Sequence, residues 1–168
     1  MTVFSSCLLD RAAAERAVAM ALPMIATAID NRSAGESGFF YLVVMKPGSS
    51  PADTGFEDAI LYEHAVGDRE RWDADYRGFA LAKARIAWRT GIDSHIVQEQ
   101  RPYLLEAGDT VLWGSVAMDG IVVAASGADA WWDEAFAGAE ALCLRAEAKA
   151  AIARERSRSL FLDTGWPA

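Results

Sequence analysis

The sequence predicts an α+β protein in which an antiparallel sheet is covered by helices on both faces. Short apolar runs come in two neighbouring pairs, and helical patterns precede, separate and follow these pairs. The second pair is joined by Asp119-Gly120, and such a dipeptide between two apolar runs is a strong hairpin signal. Hairpins separated by helices cannot give an all-parallel sheet, so an antiparallel sheet packed against helices is expected.

Composition indicates one folded domain at residues 1–156, followed by a tail at 157–168. The chain has 168 residues, 52% hydrophobic and 24% charged, and its net charge of −8 argues against a nucleic-acid partner. An apolar run long enough to span a bilayer, or a basic leader, is not found, so no membrane partner is predicted. Cys7 and Cys143 form no CxxC pair, which favours a reducing cytoplasm and leaves a single bridge open.

The first half of the chain is expected to form a helix, two strands and a second helix. The Ala-rich segment from Asp10 to Asp30 predicts the first helix, with a kink or a second start at Pro23. Its buried stripe is predicted at Leu9, Ala13, Ala17, Met20 and Met24. The runs Phe39–Met45 and Ala59–Val66 predict an antiparallel pair of strands, the first central in the sheet.

The second helix is predicted over Arg69–Thr90, with Gly91 as its C-cap. Its stripe consists of Trp72, Tyr76, Phe79, Lys83 and Ile86. Ser94–Leu105 is ambiguous and is compatible with a short helix.

Two strands and a long helix complete the predicted fold. The strands are Thr110–Met118 and Ile121–Ser126, and the helix ends near Arg156. The buried face of this helix is predicted at Trp132, Phe136, Ala139, Cys143 and Ala146. The tail carries an apolar patch at Leu160–Leu162 and a tryptophan, Trp166, that could dock on a neighbouring subunit.

Common catalytic templates are absent from the sequence, which contains no GxSxG, HExxH, P-loop or GxGxxG motif and no Cys/His cluster with zinc spacing. A site must therefore be built from dispersed residues. His64 is the first candidate, since imidazole is both an acid–base group and a metal ligand, and Tyr62 shares its strand face. His95, near Glu99, is the second. The alternative interpretation of both histidines is that they are ordinary polar residues, His64 partly exposed near a strand end and His95 solvated in a loop or short helix.

Lys83 is an unusual residue because it falls inside an apolar helical stripe. Either its side chain extends past apolar neighbours into water, or its amine faces a pocket or subunit interface and pairs with a carboxylate. The six tryptophans also admit two interpretations. Trp113 and the others can be core or interface residues, or they can line a pocket for a flat ligand.

Two segments resemble the GlcG/HbpS-like family of haem-degrading or haem-binding domains. Ala80-Leu81-Ala82-Lys83-Ala84-Arg85-Ile86-Ala87 is similar to the family's A-x-x-K-A-x-T-A helix. The run Trp113–Gly127, followed by Trp132-Asp133-Glu134, is similar to its second hairpin and final helix. The resemblance implies a profilin-like sheet, homo-oligomers and a small-ligand role, with haem for some members.

Three functions follow as alternatives. The first is a homo-oligomeric small-molecule-binding protein, cofactor unknown but haem possible, with His64 as axial ligand. Its pocket would include Tyr62, Lys83, Arg85, His95 and Trp113, with Lys83 or Arg85 near the propionates.

The second alternative is a lyase or isomerase of small aromatic or hydroxyacid catabolism, without an organic cofactor, in which His64 acts as the acid–base group. Lys83 or Arg85 would hold a substrate carboxylate, and tryptophans would stack on a ring. The third is a non-catalytic assembly protein.

Overall fold

A computed structural model describes residues 6–162, and in this range the predicted α+β fold is confirmed. Its four strands are β1 (Phe40–Met45), β2 (Ile60–Val66), β3 (Ser115–Met118) and β4 (Ile121–Ser126). Its α-helices are α1 (Arg11–Asp30), α2 (Tyr76–Thr90), α3 (Ser94–Gln100) and α4 (Ala130–Arg156). The sheet order is β2-β1-β4-β3 and every neighbouring pair is antiparallel.

The two central strands are buried along their whole length, as the unbroken apolar run of β1 predicts. β1 pairs with β2 on one side and with β4 on the other. The hairpin between β3 and β4 turns at Asp119 and Gly120, whose φ angles are 51° and 81°. Two consecutive positive φ angles are what a tight two-residue hairpin requires, which explains the Asp-Gly pair.

Helices cover both faces of the sheet, which gives layers compatible with a profilin-like arrangement. The face of β1 that carries Phe40, Leu42 and Val44 packs with α1 and α4. The opposite face, with Tyr41 and Val43, packs with α2. Because strand side chains alternate between faces, each strand residue can be assigned to one of these two layers.

Helix α1 is continuous through Pro23, so the alternative of a second helical start there is wrong, and the kink stays a prediction. Asp10 caps its start by accepting the N–H of Ala13 at 2.8 Å. The prediction that Met20 and Met24 are buried is wrong, because these side chains are 74% and 51% exposed. The buried stripe runs instead through Ala13, Ala14, Ala17, Val18, Ala21, Ile25 and Ile29.

Among the described residues, α1 is the one helix long and apolar enough to cross a membrane by length and composition. It lies near the N-terminus and packs one side on α4 and the sheet. The packed side of α1 therefore contributes to the core between the sheet and α4.

Two predicted boundaries are wrong. The second helix starts at Tyr76 rather than Arg69, because the Asp75 carboxylate accepts the N–H of Gly78 at 2.8 Å and caps it there. Arg69–Arg71 is a separate 3-10 turn. The third strand starts at Ser115, so Trp113 lies in the loop before it.

Two predicted helix stripes also differ from the structure. Phe79 on α2 is 39% exposed. On α4, Trp132 and Ala146 are exposed, whereas two acids, Asp133 and Glu140, are buried. Leu160 and Phe161 of the predicted tail are exposed, and Trp166 lies outside the described residues. The division into a domain and a tail stays a prediction.

Candidate functional site

The predicted site residues lie in separate parts of the molecule. Tyr62 and His64 are on the edge strand β2, and Arg85 is an exposed residue of α2 whose guanidinium lies 4.1 Å from the centre of the Phe56 ring. Lys83 and Trp113 line one cavity, and the ring of His95 lies 5.5 Å from that of Trp113. The structure therefore brings together Lys83, Trp113 and His95, and leaves the others elsewhere.

A buried ion pair between Lys83 and Asp133 is the most unusual feature of this region. The Lys83 amine donates to Asp133 Oδ2 at 2.7 Å and to the carbonyl of Ala125 at 2.9 Å. The other carboxylate oxygen of Asp133 accepts the N–H of Ala128 at 2.9 Å. The two side chains are only 3% and 2% exposed. Lys83 thus joins α2 to the end of β4 and the start of α4.

Gly114 makes room for this pair. Its φ is 141°, in the region that favours glycine. A Cβ at this position would lie 2.6 Å from Asp133 Cβ and 3.2 Å from Lys83 Nζ. The loop is fixed by the buried Ser94 hydroxyl, which accepts the N–H groups of Gly114 and Ser115, both at 3.1 Å.

A cavity of about 180 Å³ opens beside the ion pair. Its walls include the apolar side chains of Leu112, Trp113 and Ala130, and it also touches Tyr76 and Ser126. Since pockets for drug-sized ligands measure about 300–1,000 Å³, this cavity suits a smaller molecule. A larger hollow of about 460 Å³ beside Tyr62 is lined by partly exposed charged groups and has no buried ion pair among its lining residues.

The surroundings of the pair change the ionisation of its acid. Burial raises the pKa of Asp133 from its ordinary value of 3.8 to about 6, and the Lys83 charge opposes that rise. A carboxyl with a strongly raised pKa, beside an amine and on a cavity wall, is a typical candidate for a functional group.

His95 lies beside Trp113 and contacts a second acid of α4. Its Nδ1 contacts the carboxylate of Glu134, the residue that follows Asp133. The two neighbouring acids at the start of α4 therefore point to different partners. Asp133 is paired with Lys83 inside the protein, and Glu134 with His95 in a partly exposed position.

His64 lies on the other side of the sheet from α2. Its partner in the strand register, Leu42, packs in the layer of α1 and α4. The His64 ring stacks on Tyr62 with 6.2 Å between centroids, and its Nδ1 is 3.4 Å from the Tyr62 hydroxyl. Burial lowers the pKa of His64. The residues that line the Lys83 cavity do not include His64, so the two candidates do not share it.

Asp133 and Glu140 are two buried acids that the sequence patterns did not predict. They follow the same spacing as Phe136, Ala137 and Leu144 along the buried side of α4. Each of these acids interrupts an apolar helical stripe, and this pattern could have indicated that they are buried. The same pattern drew attention to Lys83. Within residues 6–162, no group of three or more His, Cys, Asp or Glu side chains could hold a metal ion.

Comparisons with protein-family models, with curated proteins and with solved structures find no match for this chain.

Proposed function

We propose that this protein binds a small molecule in the cavity beside Lys83 and Asp133. The observation that carries the proposal is a fully buried ion pair on a cavity wall. Burying two charges costs several kcal/mol per ion, and apolar residues of similar volume are often as stabilising. A contribution to stability therefore explains the pair poorly, whereas a role in binding or proton transfer explains it well.

The charge balance of the site restricts the ligand. Lys83 and Asp133 neutralise each other, so an added buried charge would have no partner and would be expensive to desolvate. The best ligand has an uncharged polar head, such as a carbonyl or hydroxyl, and a short apolar body against Leu112 and Trp113.

A thermal-shift screen tests the proposal with small aldehydes, ketones, alcohols and carboxylic acids. At about a hundred times Kd, a ligand stabilises the folded state by about 2.7 kcal/mol, which raises Tm by roughly 5–10 °C. The shift should disappear in Leu112→Trp, where the larger side chain fills the cavity, and persist in Lys149→Met. Equal shifts in both variants would place the binding elsewhere.

A second candidate function is a lyase or isomerase acting on small aromatic or hydroxyacid compounds. It is favoured by the raised pKa of Asp133 and the amine 2.7 Å away, since such a pair can take a proton from a ligand and return it. Trp113 would flank an aromatic ring. The sequence-based choice of His64 as acid–base group would need a different site, on the β2 side. Proton transfer is tested by incubating the ligand with the protein in D2O and following deuterium incorporation into the ligand by NMR. Incorporation that is lost in His64→Ala but kept in Asp133→Asn would favour His64 as the acid–base group.

Haem remains a further candidate ligand, with His64 as its axial ligand and the GlcG/HbpS-like resemblance as its support. Burial lowers the pKa of His64, which favours the neutral imidazole that ligates iron. The 180 Å³ cavity is too small for a macrocycle, so haem would lie on the β2 side near Tyr62. Haemin titration should give a Soret shift that is lost in His64→Ala. No shift, or the same shift in the variant, would remove this assignment.

We also propose that the protein forms homo-oligomers in the cytoplasm. The third alternative, a non-catalytic assembly protein, requires the same oligomers. Cys7 and Cys143 are free thiols, as expected in a reducing compartment. Leu160 and Phe161 are exposed apolar residues that a neighbouring subunit could cover. Deletion of Ser157–Ala168 should lower the mass measured by light scattering; an unchanged mass would contradict docking by the tail.

A further inference from the structure

We propose that Lys83 holds its ligand covalently, as an imine formed with a small aldehyde or ketone. This inference rests on the proposed function, because it assigns a ligand class and a bond to the same cavity.

The identity of the cation supports this inference. The chain contains thirteen arginines and three lysines, Lys46, Lys83 and Lys149. Arginine is the usual choice for a buried ion pair, because its planar guanidinium binds a carboxylate through two hydrogen bonds. Here the buried cation is nonetheless a lysine. A lysine amine, unlike a guanidinium, can act as a nucleophile toward carbonyl carbons when a neighbouring base takes its proton.

The Lys83 side chain borders the cavity, and its amine has one unused donor. An ammonium group has three N–H donors, and the contacts of Lys83 with Asp133 and Ala125 use two of them. Lys83 also belongs to the cavity wall. A small carbonyl compound in the cavity would therefore lie beside the Lys83 side chain.

Asp133 supplies the proton transfers that the step requires. It first takes a proton from the Lys83 ammonium, which frees the lone pair of Nζ. The lone pair forms a bond to the carbonyl carbon, the electrons of the C=O double bond move to oxygen, and Asp133 returns the proton to that oxygen. Asp133 then removes the second proton from nitrogen and delivers it to the hydroxyl, which leaves as water while the C=N bond forms. The net reaction joins the Lys83 ammonium and a carbonyl to give a protonated imine (an iminium) and water, with no oxidation or reduction.

The charge balance of the site also survives the reaction. The product iminium carries one positive charge and one N–H, the last of the three protons of the Lys83 ammonium. That N–H can stay directed at Asp133, 2.7 Å from Nζ in the free protein. The buried carboxylate therefore keeps a cationic partner throughout, and the penalty for an unpaired buried charge is avoided.

Reductive trapping tests the inference on the full chain. The protein is incubated with propanal and cyanoborohydride, which converts an imine into a stable secondary amine, and the product is mapped by peptide mass spectrometry. We expect one propyl group at Lys83 before Lys46, Lys149 or the N-terminus reacts. Labelling of those amines first, or no labelling of Lys83, would overturn the inference, since a purely structural buried lysine is protected from reagents.

Two variants make the test specific. Lys149→Arg removes an exposed lysine and should leave labelling of Lys83 unchanged. In Asp133→Asn the new side chain is polar and of the same size, but it cannot carry the proton. This variant should therefore slow reductive trapping at Lys83 about tenfold or more. An unchanged rate in Asp133→Asn would contradict the role of Asp133, and the wild-type mapping decides on Lys83 even if this variant folds poorly.

Failure of the imine and failure of the proposed function give different results. The alcohol 1-propanol resembles propanal but cannot form an imine. A thermal shift with 1-propanol that is lost in Leu112→Trp, without labelling of Lys83, would retain the binding site and reject the imine. No shift with either compound and no labelling would reject both.

Discussion

Two buried carboxyl groups on the same face of α4 have opposite surroundings. Asp133 lies in the first turn beside a cavity and has Lys83 and the N–H of Ala128 as partners. Glu140, two turns later, is fully buried among apolar residues, and neither of its oxygens has a hydrogen-bond partner among the described residues. Burial raises both pKa values, to about 6 for Asp133 and about 8 for Glu140. Partners, rather than depth, therefore decide which of the two acids is ionised at neutral pH.

Removal of the partner of Asp133 is expected to have the largest effect. Lys83→Met leaves a buried carboxylate unpaired and should lower the free energy of unfolding by about 3–5 kcal/mol at pH 7. The double variant Lys83→Met/Asp133→Leu should recover most of this loss, because no buried charge remains. Urea unfolding followed by circular dichroism measures both. If the double variant is as unstable as the single one, packing of the lysine stem rather than its charge is responsible.

Replacement of the unpartnered acid is expected to stabilise the protein. Glu140→Met keeps a similar volume and removes two unsatisfied buried oxygens, each of which costs about 1–3 kcal/mol. We expect the free energy of unfolding to rise by about 1–3 kcal/mol in the same urea experiment, allowing for imperfect packing. Glu99→Met, an exposed position on α3, is the matched control and should change little. A loss of stability in Glu140→Met would mean that this carboxyl has a partner in solution.

The dependence of stability on pH should separate the two acids. A carboxyl whose folded-state pKa is raised holds its proton in the folded state after the unfolded chain has released it, so stability falls as pH rises. For Glu140 the window runs from its ordinary value of 4.5 to about 8, and for Asp133 from 3.8 to about 6. Unfolding measured from pH 6 to 8 should therefore show a decline that is absent in Glu140→Gln. An identical slope in the variant would show that Glu140 does not titrate in this range.

The smallest effect is expected at the acid next to Asp133. Glu134 pairs with His95, but both side chains are about one quarter exposed. Partly exposed pairs contribute less than about 1 kcal/mol, so Glu134→Gln should change the free energy of unfolding by less than that. Lys83→Met and Glu134→Gln each break a contact between an acid of α4 and a basic side chain. The difference between their losses of unfolding free energy therefore measures the effect of burial on such a contact. A loss of several kcal/mol in Glu134→Gln would show that the His95 contact is far stronger than its exposure suggests.

The sheet could be predicted from the sequence because its signals are local. The apolar run of β1 and the Asp119-Gly120 turn each specify an element within a few residues, and the layer of helices follows from their order. Helix faces were predicted less well, because alanine fits both the inside and the outside of a helix. Met20 was assigned to the buried face of α1, although the smaller Ala14 and Ala21 are the residues that pack there.

The candidate site could be predicted only in part. Lys83 was detectable because a charge interrupts an apolar stripe, and the same pattern at Asp133 was obscured by the general preference of acids for the first turn of a helix. That these two residues meet depends on contacts between elements fifty positions apart. His64 was predicted as a site residue because of the chemistry of its imidazole. Its side chain lies on the other face of the sheet, however, and does not line the Lys83 cavity.

The side-by-side packing of α1 and α4 has a consequence for synthesis of the chain. Arg16 near one end contacts Glu147 near the other at 2.9 Å, and Leu8 and Ala151 line the same surface hollow. While the chain emerges from the ribosome, the apolar stripe of α1 has no helical neighbour until the last helix is complete. The nascent protein should therefore depend on chaperones until then. Because Cys7 and Arg158 line the same hollow, a circular permutant with a short linker from residue 158 to residue 6 is a practical way to shorten that exposure.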